Sequence, residues 1–129
     1  HAGLRATADR VSAQHGGFIR FGVEFPDSEA GHGYKILASR SGAGPTGWKG
    51  LAVPLTFDSL TARFDEAPPD FFHGAHGTLD AAGDAIADLD LEAGASLAWL
   101  GSTIWIAAVT GASGQPQASS ISRTITIFP

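Results

Sequence analysis

Two stretches of this chain alternate apolar and polar residues with a period of two, which limits the available folds severely. Ile19, Phe21, Val23 and Phe25 are separated by Arg20, Gly22 and Glu24. Ala85, Ala87, Leu89 and Leu91 stand opposite Asp84, Asp88 and Asp90, with Ile86 as the exception. Successive side chains of a strand point to opposite faces, so each stretch has one apolar face that must be covered. A helix would scatter the three aspartates around its circumference; a strand collects them on one side.

The rest of the chain fits the same reading. Tyr34, Ile36 and Ala38 alternate with Lys35, Leu37 and Ser39, and Thr103 to Thr110 reads as an apolar strand buried on both faces. Leu51 to Leu55 is short and apolar, with Pro54 favouring an edge position. A last strand places Ile121, Arg123, Ile125 and Ile127 against Ser120, Ser122, Thr124 and Thr126. Glycine-rich or proline-rich connections lie between, at 26–33, 41–47, 80–83 and 111–116. Asp58 to Phe64 fits either a strand or one helical turn, and no segment carries a helical stripe of useful length. The expectation is an all-β fold: a two-layer antiparallel β-sandwich, immunoglobulin-like or jelly-roll-like, with about seven to nine strands. A length of 129 residues places it in one domain over residues 1–129.

Composition removes several function classes. Hydrophobic residues at 43% against 16% charged are too many for a disordered chain. The formal net charge is −5 and no basic run occurs, so no nucleic-acid backbone or anionic lipid surface is expected as a partner. No apolar run reaches the roughly 18 residues of a membrane span, so membrane insertion is not expected. Zero cysteines exclude disulfides, thiolate chemistry and Cys-ligated metal centres. Few lysines, many small residues and no Met point to a secreted bacterial product, processed or cut from a longer chain.

Four blocks carry a family resemblance. They are Ala30-Gly31-His32-Gly33-Tyr34-Lys35-Ile36-Leu37-Ala38-Ser39 followed by Ser41-Gly42 and Pro45; Val53-Pro54-Leu55-Thr56-Phe57-Asp58; Gly77-Thr78-Leu79-Asp80-Ala81-Ala82-Gly83-Asp84-Ala85; and Leu100-Gly101-Ser102-Thr103-Ile104-Trp105-Ile106-Ala107-Ala108. In this order they resemble a β-sandwich domain found at the C-terminal ends of secreted and cell-surface bacterial proteins. The resemblance implies a non-catalytic module whose motif glycines sit in turns. It also implies that Tyr34, Leu79, Ala85 and Trp105 sit in the core. The chain departs from the pattern at His1 and at Phe72-His73-Gly74-Ala75-His76.

Candidate sites follow from residue chemistry. His1 offers an α-amine and an imidazole, which with a second imidazole from His73, His76, His15 or His32 make an N₃ set suited to Cu(II). His73 and His76 are three apart, so a straight strand points them to opposite faces; only a turn at Gly74 would let them share an ion. Asp80, Asp84, Asp88 and Asp90 offer oxygens around Gly83 to Ca²⁺, though the simpler reading is a solvated strand face with turn aspartates. Trp48, after a glycine loop, is the best candidate to stack on a sugar; Trp99 and Trp105 read as core. No Gly-x-Ser-x-Gly elbow supports a hydrolase.

The expected function is a non-catalytic structural or adhesive module at the bacterial cell surface, with no resident cofactor. It would associate with itself or with other surface proteins through edge strands, forming a layer, sheath or filament. The terminal strand, with only Arg123 charged between Ser119 and Phe128, is the suspected edge. The rival expectations are carbohydrate binding at Trp48 and copper binding through His1.

Overall fold

The alternating stretches do become strands, paired with each other. In the computed structural model, which describes residues 3–12, 14–70, 72–92, 103–112 and 115–128, β3 (Gly17–Glu24) lies antiparallel to β9 (Asp84–Leu91). Their register sets Ile19 against Leu89, Phe21 against Ala87 and Val23 against Ala85, so the two apolar rows share one face. The polar rows fall together on the other face, where Arg20 meets Asp88. Two short strands complete this sheet, β1 (Gly3–Ala6) beside β3 and β7 (Phe72–His73) beside β9, giving the order β1-β3-β9-β7.

The second sheet is built around β10 (Thr103–Ala112), which pairs with β4 (Gly33–Ser39) on one side. On the other side it pairs with β12 (Arg123–Phe128) and, further along, with β11 (Gln115–Ser119), whose ladder shifts register between Thr110 and Gly111. With β2 (Arg10–Ser12) and β8 (His76–Thr78) the order is β2-β12-β10-β4-β8. A separate hairpin joins β5 (Thr46–Trp48) to β6 (Leu51–Val53), and among the described residues one α-helix, α1, covers Ser59–Glu66. The fold is thus an all-β sandwich, and its buried apolar side chains form one cluster drawn from both sheets and the helix.

Several expectations are corrected. Twelve strands occur among the described residues, more than the seven to nine expected, because turns divide the chain into pieces of two to four residues too short to show alternation. The sheets are not purely antiparallel: β12 and β2 run parallel, with Thr126, Ile127 and Phe128 beside Arg10, Val11 and Ser12. That pairing also means the terminal strand is no free edge. It lies between β10 and β2. Ile121 falls outside any strand and is exposed, since the chain breaks at Ser120 between β11 and β12. Leu37 and Ser39, expected on the polar side of β4, are fully buried. They lie under α1 and the segment leading into it: Ser39 Oγ donates to the Thr56 carbonyl, and Thr61 Oγ1 to the Ala38 carbonyl at 2.7 Å.

The segment left open between strand and helix is α1. Asp58 is its N-cap, accepting the N–H groups of Leu60 and Thr61 while Thr61 Oγ1 returns a bond from the Asp58 N–H, a reciprocal capping box. The helix covers the edge of β4 that β8 leaves unpaired, a standard protection for an exposed ladder. From α1, Phe64 reaches the core and meets Phe72 edge-on at 5.4 Å; Phe72 in turn stacks on Phe21 at 5.5 Å. Burying each such ring contributes about 1.5–3 kcal/mol, so α1 is bound chiefly by this wedge and its cap.

The connection between β7 and β8 crosses from one sheet to the other. Gly74 turns the chain with φ +73°, and Tyr34 Oη donates to the Gly74 carbonyl at 2.7 Å. Burial raises the pKa of this phenol, so it stays a donor over the ordinary pH range. Tyr34 and Leu79 are buried as expected, whereas Ala85 and Trp105 are only partly so.

Candidate functional site

A trough opens where the β5–β6 hairpin leans over the outer face of the second sheet. The hairpin turn is Lys49-Gly50, with φ +51° and +90°. Two successive left-handed residues make the type I′ geometry that matches strand twist. Glycine adopts this freely, but at Lys49 it is an unusual conformation for a residue with a Cβ. The turn holds Trp48 opposite Leu51 in the ladder. The indole leans on Phe57 at 6.1 Å, tilted by 57°, and the Lys49 ammonium sits 5.7 Å from its centroid.

Trp48 is half-buried and walls two clefts. One, of about 270 Å³, is lined by Lys35, Trp48, Lys49, Val109, Gln115 and Pro116 among others. The other, of about 350 Å³, is bounded by Leu37, Trp48, Phe57, Thr61 and Asp65. The ion pair Lys35 Nζ–Asp65 Oδ1, at 2.6 Å, joins a residue of the first cleft to one of the second. Lys35 also donates to the Asp65 carbonyl at 3.2 Å. Lys49 makes no salt bridge or hydrogen bond from its side chain among the described residues. An apolar concavity with a few polar groups around an aromatic platform is the usual make-up of a small-ligand site.

Several other polar side chains, near the clefts and elsewhere, are engaged in holding the fold. Asp58 also lines the second cleft, yet four donors are committed to it. Its Oδ1 takes the N–H groups of Leu60 and Thr61; Oδ2 takes the Arg40 N–H at 3.0 Å and Ser41 Oγ at 2.8 Å, while the Thr61 and Ser39 hydroxyls, whose protons go to the Ala38 and Thr56 carbonyls, lie beside it. Burial pushes this carboxyl up, but the hydrogen bonds from Ser41, Thr61 and Arg40 together outweigh it, and its pKa lies below the ordinary 3.8. Asp80 does similar work in the turn before β9, accepting the Asp84 N–H at 2.9 Å and the Ala82 N–H at 2.8 Å, and these bonds lower its pKa. Asp88 pairs with Arg20 at 2.9 Å, which raises the pKa of the guanidinium. Glu29 Oε1 accepts from the buried Thr110 hydroxyl at 2.6 Å and lies 3.2 Å from His32 Nδ1.

Among the described residues the histidine candidates are not brought together. His1 lies outside the described residues, as does Trp99. The turn at Gly74 separates His73 from His76 instead of joining them, because it carries the chain between sheets. His73 sits opposite Asp88 in the first sheet; His76 sits opposite Lys35 in the second and donates from Nε2 to the Phe64 carbonyl at 2.6 Å. His15 is exposed in the turn before β3. Among the described residues no three His, Asp or Glu side chains converge as a metal site would require, and Asp80, Asp84, Asp88 and Asp90 serve the turn and the sheet face.

Reasoning from sequence singled out Trp48 but missed Lys49, Gln115 and Asp58. Lys49-Gly50 between two short apolar runs is a hairpin signal that could have placed Lys49 beside the indole. Gln115 had no such signal, since only sheet pairing carries it to the cleft. No protein-family model and no curated protein matches this chain.

Proposed function

We propose that this chain is a non-catalytic recognition module of a secreted or cell-surface bacterial protein, and that it binds a saccharide in the trough at Trp48. The observation that carries the reading is Trp48 itself: a half-buried indole shared by two clefts, on a hairpin built with a left-handed lysine. Backbone strain of this kind gathers at binding sites, where surrounding structure holds it. The resemblance of the four sequence blocks supports the cell-surface setting. Asp58, Asp80 and Tyr34, which belong to those blocks, are engaged in turns, caps and corners, in keeping with a scaffold that performs no chemistry. Isothermal titration against neutral and acidic oligosaccharides, with Trp48→Ala as control, tests this; saccharide binding that ignores Trp48→Ala would remove the proposal.

A second reading is self-association, and a different surface favours it. The outer face of the first sheet exposes Phe18 by 52% and Ile86 by 59%, beside the Arg20–Asp88 pair. The two flank that pair in the ladder, Phe18 opposite Asp90 and Ile86 opposite Gly22, and with the Arg20 stem they make a mixed face that a second copy of the chain would cover. Light scattering at rising concentration would show a multimer that Phe18→Ser with Ile86→Ser dissolves; a monomer throughout would end this reading.

A further inference from the structure

The trough at Trp48 is electrically uneven. Lys35 faces the first cleft but is neutralised by Asp65 at 2.6 Å. Lys49 faces the same cleft with no carboxylate within ion-pair distance among the described residues. The second cleft carries Asp58 and Asp65, the first of them bound by four donors and the second by Lys35. Lys49 is therefore the cation left to a ligand here, and Gln115 adds an exposed amide at the same cleft. In the free protein the Lys49 ammonium rests against the indole, 5.7 Å from its centroid, a contact that is weak at an exposed position.

We infer that the trough takes an acidic saccharide, with a pyranose ring against the Trp48 indole and a sugar carboxylate on Lys49 Nζ; this rests on the saccharide reading above. The C–H groups of a pyranose ring are faintly positive and meet the negative face of an indole favourably. A carboxylate draws the ammonium off the ring through a charge-assisted hydrogen bond and so uncovers that face. One group then both binds the charge and opens the platform. A neutral sugar must displace the ammonium with nothing in return.

The test compares tetragalacturonate with tetragalactose, which differ by the C6 carboxylate, in calorimetric titrations of the full chain. Tetragalacturonate should bind at least tenfold more tightly, and the advantage should shrink as salt is raised. Lys49→Gly should cut tetragalacturonate affinity to the level of tetragalactose. This variant suits a left-handed turn, so loss of folding will not imitate loss of binding. Equal affinity for the two tetramers, or an acidic preference that survives Lys49→Gly, overturns the inference while leaving the saccharide reading in place. No heat with either tetramer at millimolar concentration overturns both.

Discussion

Replacing Asp58 by Ala should cost this protein about 2–4 kcal/mol, and the figure can be built from its contacts. The side chain caps α1 through the Leu60 and Thr61 N–H groups, and loss of such a cap costs about 0.5–2 kcal/mol. Its other oxygen ties the end of β4 to the helix start through the Arg40 N–H and the Ser41 hydroxyl. Each of those bonds is worth about 0.5–1.5 kcal/mol net, because water replaces part of what is lost. For a domain of this length the total lowers the melting temperature by about 10 °C. Asp58→Asn separates the two roles. One amide oxygen still caps the helix, but the NH₂ group cannot accept from Arg40 or Ser41, so about half the loss should appear. The pH dependence has a definite sign. The folded pKa lies below 3.8, so the contribution is complete above that value and is lost as pH falls through the folded pKa. Asp58→Asn should therefore reduce, without abolishing, the acid sensitivity, since Asp80 also titrates low. Urea unfolding at pH 7 and pH 3 measures all of this. Wild-type stability in Asp58→Ala to within about 0.5 kcal/mol would refute the tie between strand and helix.

Other substitutions probe the rest of the frame. Phe64→Ala should cost about 3–5 kcal/mol, because it opens a cavity against Phe72 at the seam between helix and sheets; thermal melts measure it. Gly83→Ala should cost more than about 2 kcal/mol, since its φ is +84° and a Cβ would stand 2.4 Å from the Phe25 carbonyl oxygen; poor expression or early unfolding is the expected sign. Lys49→Gly should leave stability unchanged or raise it by up to about 1 kcal/mol, as left-handed strain is relieved against some gain in unfolded-chain freedom; a clear loss in chemical denaturation would mean the turn is not strained. Phe18→Ser with Ile86→Ser should shift monomer stability by less than about 0.5 kcal/mol per site, both side chains being exposed.

Residues close in space but distant in sequence account for what sequence reasoning could not see. Asp58 looked like an ordinary residue before a short ambiguous segment, because an eight-residue helix holds little more than two turns and shows no dependable stripe. Its role depends on Ser39, Arg40 and Ser41, seventeen to nineteen positions earlier. Trp48 was legible as a candidate from its place after a glycine loop. The two clefts beside it were not, since their walls come from β4, β10, β11 and α1. The His73–His76 spacing pointed to two opposite outcomes, and the corner at Gly74 decided between them.

By itself, the sequence determined the all-β character, the partnership of acidic and apolar rows in β9, and the two-sided burial of β10, because strand periodicity is a local property that burial on one or both faces writes directly into neighbouring residues. Only the tertiary structure decided which strands are edges, which aspartates are caps, and where an aromatic surface meets an unpaired cation. Those depend on contacts across the sandwich, as when β2 closes the ladder that the final strand would otherwise expose.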